Sequence, residues 1–187
     1  MSNVHKILPH YTYEDWVQWE GKWELIDGHP IAMSPAPVPR HQRIVADMII
    51  DLGIALRKKK CGNCFVYDSI DYKISEDTIL EPDVLIVCGE IIKKFLDFPP
   101  ALVVEVASPS TALRDRHTKF EIYQQKGVKY YVLVDAERAS IEIYTLLDGI
   151  YQLQELNQNS FEFTLEDGCK IMVDFSNIEF NKRKVIG

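Results

Sequence analysis

Glu105 stands inside an apolar run, Leu102-Val-Val-Glu-Val-Ala107. An ionised carboxylate among such neighbours is costly unless it is paired or binds a metal. Asp83 opens the preceding apolar run, directly after Pro82. Alternation puts Glu105 on one strand face with Val103 and Ala107. Two adjacent strands that each bring a carboxylate to one face make an oxygen site for a hard divalent cation. Further on, Thr111, Asp115, Lys119 and Tyr123 are spaced four apart, which sets them along one stripe of a helix. A lysine on that stripe can point back over the sheet edge, where it would stabilise charge on a transferring phosphate or orient an attacking water. The chemistry such a trio supports is metal-assisted cleavage of a phosphodiester. Each piece also has a plainer use: Asp83 could terminate a strand, and Asp115 with Lys119 could be a surface ion pair. Glu105 resists that treatment best.

The elements that must position these residues follow from pattern. Thr12 is suited to cap a short helix over 13–20, with Glu14 and Asp15 in its first turn and Gly21 at its end. Lys22 to Met33 reads as two short strands joined at Asp27-Gly28, a strong hairpin signal. A proline-rich loop, 34–39, leads to a long helix over 40–60, in which Ile44, Met48, Ile49, Leu52 and Leu56 form a buried stripe. Residues 64–74 alternate as one strand. The runs 83–88 and 101–107 suit central strands buried on both faces. A second long helix runs from Ser108 to about Lys126 and stops at Gly127. The run 129–135 is a strand, and 140–146, 151–156 and 160–164 read as an antiparallel meander. With no repeat and no long linker, residues 1–187 are expected to form a single α/β domain: a mixed central sheet flanked by helices, with an N-terminal hairpin and C-terminal antiparallel hairpins.

Bulk properties narrow the field. The chain has 187 residues and a net charge of −7, which argues against a protein that coats nucleic acid non-specifically. An acidic site with one basic groove remains open, and basic residues cluster in 40–60 and 111–131. The plainer reading of either cluster is a solvated helix face. No stretch approaches the roughly 18 apolar residues of a membrane span. Met1 to Tyr11 lacks the apolar core of a secretory signal, so a cytoplasmic location is expected.

That location favours free thiols. Cys61-Gly-Asn-Cys64 is a CxxC, but a redox or zinc use needs a βαβ context or a second ligand pair. Cys88 and Cys169 stand alone without metal-ligand spacing. His41, at a helix start, and His117, on the basic helix, read as surface histidines.

Glu81-Pro-Asp83 followed by Val104-Glu-Val-Ala-Ser-Pro-Ser110 resembles the PD-(D/E)XK nuclease signature. The lysine usual two residues after the glutamate is replaced by Ala107, and Lys119 on the following helix is suitably placed to supply it. The fuller pattern is similar to the Uma-two family of restriction endonucleases. It comprises Trp23-Glu-Leu-Ile-Asp-Gly28, Met33-Ser-Pro35, His41-Gln42, Glu81-Pro-Asp83, Glu105 to Thr111, Asp115 with Lys119, and Gly127 to Asp135. The resemblance implies a restriction-endonuclease-like fold, with Asp83 and Glu105 as metal ligands, Lys119 as the catalytic lysine and Glu24 as an accessory acid. The expected protein is a Mg²⁺-dependent DNA endonuclease, with Mn²⁺ able to substitute and the Val106 carbonyl completing the protein ligands. Double-strand cleavage needs two sites, so a homodimer is expected. Tyr144, Tyr151, Phe161 and Phe163 are its candidate contact, unless they belong to the core. The alternatives are a nuclease-fold domain that binds DNA or a protein partner without turnover, and a CxxC redox module.

Overall fold

The computed structural model describes residues 9–33, 38–108, 111–178 and 180. Ser34 and Pro35 of the Met33-Ser-Pro35 motif, and Pro109-Ser110 of the motif after Glu105, lie outside the described residues. The centre is a six-stranded mixed sheet of order β10-β9-β8-β7-β6-β3. Its strands are β3 (Cys64–Asp68), β6 (Val84–Cys88), β7 (Leu102–Ala107), β8 (Tyr130–Asp135), β9 (Ser140–Leu147) and β10 (Ile150–Gln154). β7 and β8 are parallel and every other pair in this sheet is antiparallel. β6, β7 and β8 are buried at every residue, as continuous apolar runs require when both faces are covered.

One face is covered by helix α2 (Pro39–Lys59), which buries Ile44, Met48, Leu52, Ala55 and Leu56. Proline at its first position is preorganised for the start, and Lys60 in the left-handed region ends it. The other face is covered by a second helical segment. It comprises α3 (Ala112–Arg114), a π-helical turn (Asp115–Lys119) and α4 (Phe120–Gln125). Tyr123 on α4 packs with Val103, Ala107, Tyr131 and Leu133. Among the described residues no helix is long and apolar enough to cross a membrane.

A smaller sheet is built from the N-terminal hairpin of β1 (Trp23–Ile26) and β2 (His29–Ala32) with β4 (Tyr72–Lys73) and β5 (Ile79–Leu80), in the order β2-β1-β5-β4. Asp27 and Gly28 join them with φ of 47° and 73°, the paired positive values of a tight hairpin turn. The Gly28 N–H donates to the Asp77 carbonyl, and a Cβ at residue 28 would lie 2.2 Å from the His10 ring. Gly28→Ala is therefore expected to destabilise the fold by about 1–3 kcal/mol, measured by urea unfolding. A midpoint equal to that of wild type would show that the turn relaxes freely.

Several expectations are corrected. The first helix, α1 (Tyr13–Trp16), ends earlier than residue 20. The strand expected over 64–74 breaks at Ser69, whose φ is 39°, and the chain leaves the large sheet. Tyr72–Lys73 (β4) then pairs with Ile79–Leu80 (β5) in the small sheet. The meander ends at β10. β11 (Ser160–Thr164) pairs with β12 (Lys170–Asp174) in a separate ribbon, which packs Phe163, Ile171 and Val173 against the α2 side of the core. The four cysteines are paired, Cys61 with Cys169 and Cys64 with Cys88. The CxxC is therefore not a dithiol of its own. The cause is register: Cys64 and Cys88 are direct cross-strand partners. Of the aromatics considered for a dimer contact, Tyr151 and Phe163 are core, while Tyr144 and Phe161 are half-buried.

Candidate active site

Val84 pairs with Val104 across β6 and β7, so one further step of the register sets Asp83 beside Glu105. β6 begins just after Asp83. The Asp83 carboxylate takes the Val106 N–H at 2.7 Å. Glu105 points to the α3–α4 side, where its Oε1 accepts the Tyr123 hydroxyl at 2.7 Å and the Lys119 ammonium at 3.0 Å. Lys119 also lies 2.7 Å from Glu24 Oε1 and 3.8 Å from Asp115 Oδ1. It is 3 % exposed, so the surface-pair reading of Asp115 with Lys119 is excluded.

Each side chain is placed by its element. Glu24 is on β1, which pairs with β5 at Leu25 and Ile79. The Glu81 N–H then donates to Glu24 Oε1 at 3.2 Å. The four-spaced stripe survives, since Asp115, Lys119 and Tyr123 are all buried on one side of the helical segment. The helix is not uniform, however. A π turn, a form found mostly at functional sites, spans 115–119. The Tyr131 hydroxyl donates to the Asp115 carbonyl at 2.9 Å and pins that turn to β8.

Three carboxylates, Glu24, Glu105 and Asp115, thus gather about one lysine, and Asp83 stands beside Glu105 at the same pocket. Burial pushes the Glu105 carboxyl well above its usual range. Lys119 opposes that push, and the charges of Asp115, Asp83 and Glu24 add to it. Burial also raises Asp115, against the pull of Lys119 and a hydrogen bond from Thr111. Burial alone would lower Lys119, but the surrounding carboxylates overcome it and hold the ammonium charged. One carboxylate oxygen, Glu24 Oε2, is buried without a hydrogen bond, 3.7 Å from Arg114 Nε. These side chains line a pocket of about 720 Å³.

An excess of carboxylate oxygens in a partly closed pocket fits a hard divalent cation. Among the described residues no three His, Cys, Asp or Glu side chains already stand as a complete ligand set for one ion. A two-carboxylate site therefore needs backbone oxygen or water as further ligands.

His41 is not the surface histidine expected. It is half-buried at the start of α2, with Nε2 3.3 Å from Asp83 Oδ2. Burial disfavours its charged form, but Asp83, aided by Asp115 and the Val106 backbone, outweighs this, so its pKa is raised. Nothing in the local pattern distinguishes it from His117, which is exposed. Arg114 was also missed, and it lies only one residue off the stripe. The basic run at Arg57, Lys58 and Lys59 is in the last turn of α2. His41 is at the other end, roughly 24 Å away by helical rise. Arg116 is occupied by Glu142 and Asp135.

The mixed sheet, the flanking helices and a carboxylate pair set side by side where β6 starts against the middle of β7 define a restriction-endonuclease-like protein. Residues 11–175 match the Uma2 family, described as "Putative restriction endonuclease", and the chain belongs to that family. An uncharacterized protein of Synechocystis sp., slr1290, is 30% identical over 147 residues, which is 73% of this chain and 75% of that one. The fold is shared with a crystal structure from Anabaena variabilis described as a "putative nuclease belonging to DUF820". The TM-score is 0.66 at 14% identity, over 80% of this chain and 87% of that one.

Proposed function

We propose that the chain is a metal-dependent DNA endonuclease. The observation that supports this most is the crowding of three carboxylates around one buried lysine, with Asp83 on the same pocket, in a chain of the Uma2 family. Asp83, Glu105 and the Val106 carbonyl would hold Mg²⁺, with Mn²⁺ able to substitute. When bound, such an ion polarises the scissile phosphate and makes the attacking water more acidic.

The chain's own groups do the rest. Tyr123 and Lys119 fix the Glu105 carboxylate from two sides. Glu24 would act as the accessory acid by holding Lys119 in place, 2.7 Å away. Lys119 keeps its charge at neutral pH and stabilises the negative charge that grows on the phosphate. The test is supercoiled plasmid incubated with the protein and Mg²⁺ or Mn²⁺. Nicked and linear products are expected with either ion and none with chelator. No product at protein in excess of plasmid would end the proposal.

One observation favours a rival. Lys119 is nearly inaccessible and already engaged, as in a network that serves stability in a DNA-binding or partner-binding domain without turnover. The same assay separates the two, since a DNA-binding rival retards plasmid without cutting it and a partner-binding one leaves plasmid unchanged. For paired cuts the proposal also calls for a homodimer. Sedimentation at micromolar concentration is expected to give twice the 21.6 kDa chain mass, and a monomer would remove the paired-site arrangement.

A further inference from the structure

All four cysteines meet at one corner, at the opposite end of α2 from the carboxylate pocket. Helix α2 has 21 residues, so the two ends are roughly 30 Å apart. Cys61 and Cys64 bracket the turn that follows the helix, where the Cys64 N–H donates to the Cys61 carbonyl at 3.3 Å. Cys88 ends β6 directly opposite Cys64, with a Cα separation of 4.0 Å. Cys169 precedes β12, with its Cα 6.0 Å from that of Cys61. The Gly89 N–H donates to the Asn63 carbonyl at 2.8 Å, which closes the end of β6 over the same turn. All four side chains belong to one packed cluster. Two disulfides rooted in a single four-residue turn put four sulfurs in one neighbourhood, although they come from segments 24 and 108 residues apart.

We propose that in the reduced protein Cys61, Cys64, Cys88 and Cys169 form a tetrathiolate site for Zn²⁺. Each disulfide takes two electrons and two protons from a dithiol reductant, which becomes a disulfide in turn. Four thiols result, and Zn²⁺ displaces their four protons. Soft sulfur donors in a set of four are the ligand type of structural zinc, and a CxxC turn with two further cysteines is one of its usual arrangements. The resulting centre carries two negative charges. Arg57, Lys58 and Lys59, in the last turn of α2, and Lys60 immediately precede Cys61. Their charge favours thiolate over thiol and offsets the charge of the centre. The basic run lies at this end of the helix, beside the cysteines. The site would tie the end of α2 to β3, β6 and β12 under reducing conditions, when the disulfides cannot.

The test uses the full chain purified under a non-chelating reductant with added Zn²⁺, then freed of excess ion by gel filtration. About one zinc per chain is expected, with fewer than four thiols titratable until zinc is displaced. Replacing zinc by Co²⁺ is expected to give intense sulfur-to-metal charge-transfer absorption. That signature distinguishes this corner from the carboxylate pocket, whose oxygen ligands do not produce it. Cys61→Ser and Cys169→Ser are each expected to lose most of the zinc, while Asp83→Ala keeps it. The cobalt spectrum of the wild type remains decisive if a cysteine variant fails to fold. Four freely titrating thiols with no retained zinc, or bound Co²⁺ without thiolate charge transfer, overturns the proposal. Neither result touches the nuclease reading.

Discussion

Replacing Lys119 by Met is expected to lower plasmid cleavage at saturating Mg²⁺ by a hundredfold or more. It should also cost stability. The charge removed is one that Glu24, Glu105 and Asp115 all face inside the protein. Breaking a buried ion pair by deleting one partner typically costs about 3–5 kcal/mol. For a chain of this size that is a fall in melting temperature on the order of 10 °C. Cleavage must therefore be compared well below the variant's melting temperature, with circular dichroism showing it folded. Lys126→Met is the control, because Lys126 is exposed beside the end of α4. It should leave both rate and stability unchanged. The two parts of the prediction separate two roles. A lysine that serves only the network would reduce stability and leave the rate per folded molecule at the wild-type value. In that case the assignment of Lys119 to the reaction is wrong, and Arg114, at the same pocket beside Glu24, becomes the cation to test.

Glu105→Gln is expected to do the reverse, losing function without losing the fold. The amide has the shape of the carboxylate, and its oxygen can still accept from Tyr123 and Lys119, as Glu105 Oε1 does. What disappears is one of four negative charges in a place where burial already disfavours charge. Relief of that repulsion should leave the melting temperature at or above the wild-type value. Binding of Mn²⁺, measured by calorimetry, should fall below detection, because a neutral amide is a poor substitute for an anionic oxygen ligand. Cleavage should fall with it. Mn²⁺ affinity equal to that of wild type would remove Glu105 from the ligand set. A large loss of stability would mean that Lys119 needs the Glu105 charge more than the cluster suffers from it.

How far the site could be read in advance depends on how local each signal is. Glu105 announced itself because one charged residue in a six-residue apolar strand is a local anomaly, and its burial followed. Lys119 followed from helical spacing, which the π turn modified without breaking. The Asp27-Gly28 hairpin was legible because two consecutive positive φ values demand those residue types. Other features depend on partners far along the chain, and local pattern is silent there. β11 reads equally well as the next strand of a meander or as half of a ribbon with β12, and only packing against α2 decides. The break at Ser69 interrupts a stretch whose alternation runs on unchanged through Ile74. Cys64 meets Cys88 because of an antiparallel register that no spacing rule reveals. His41 has an unremarkable place at a helix start, and its contact with Asp83 exists only because α2 begins beside the start of β6. Asp115 was visible as a member of the stripe but not as the fourth carboxylate of the cluster.

The most direct test of the central claim is the initial rate of supercoiled plasmid cleavage by wild type and Asp83→Ala, side by side, in Mg²⁺ and in Mn²⁺. Asp83 faces the pocket from just before β6 and is only half-buried, so its replacement should leave the fold intact. The account predicts metal-dependent nicking and linearisation by the wild type, abolished by chelator and reduced by at least a hundredfold in Asp83→Ala with either ion. Equal rates for the two proteins, or cleavage that persists in chelator, would contradict it.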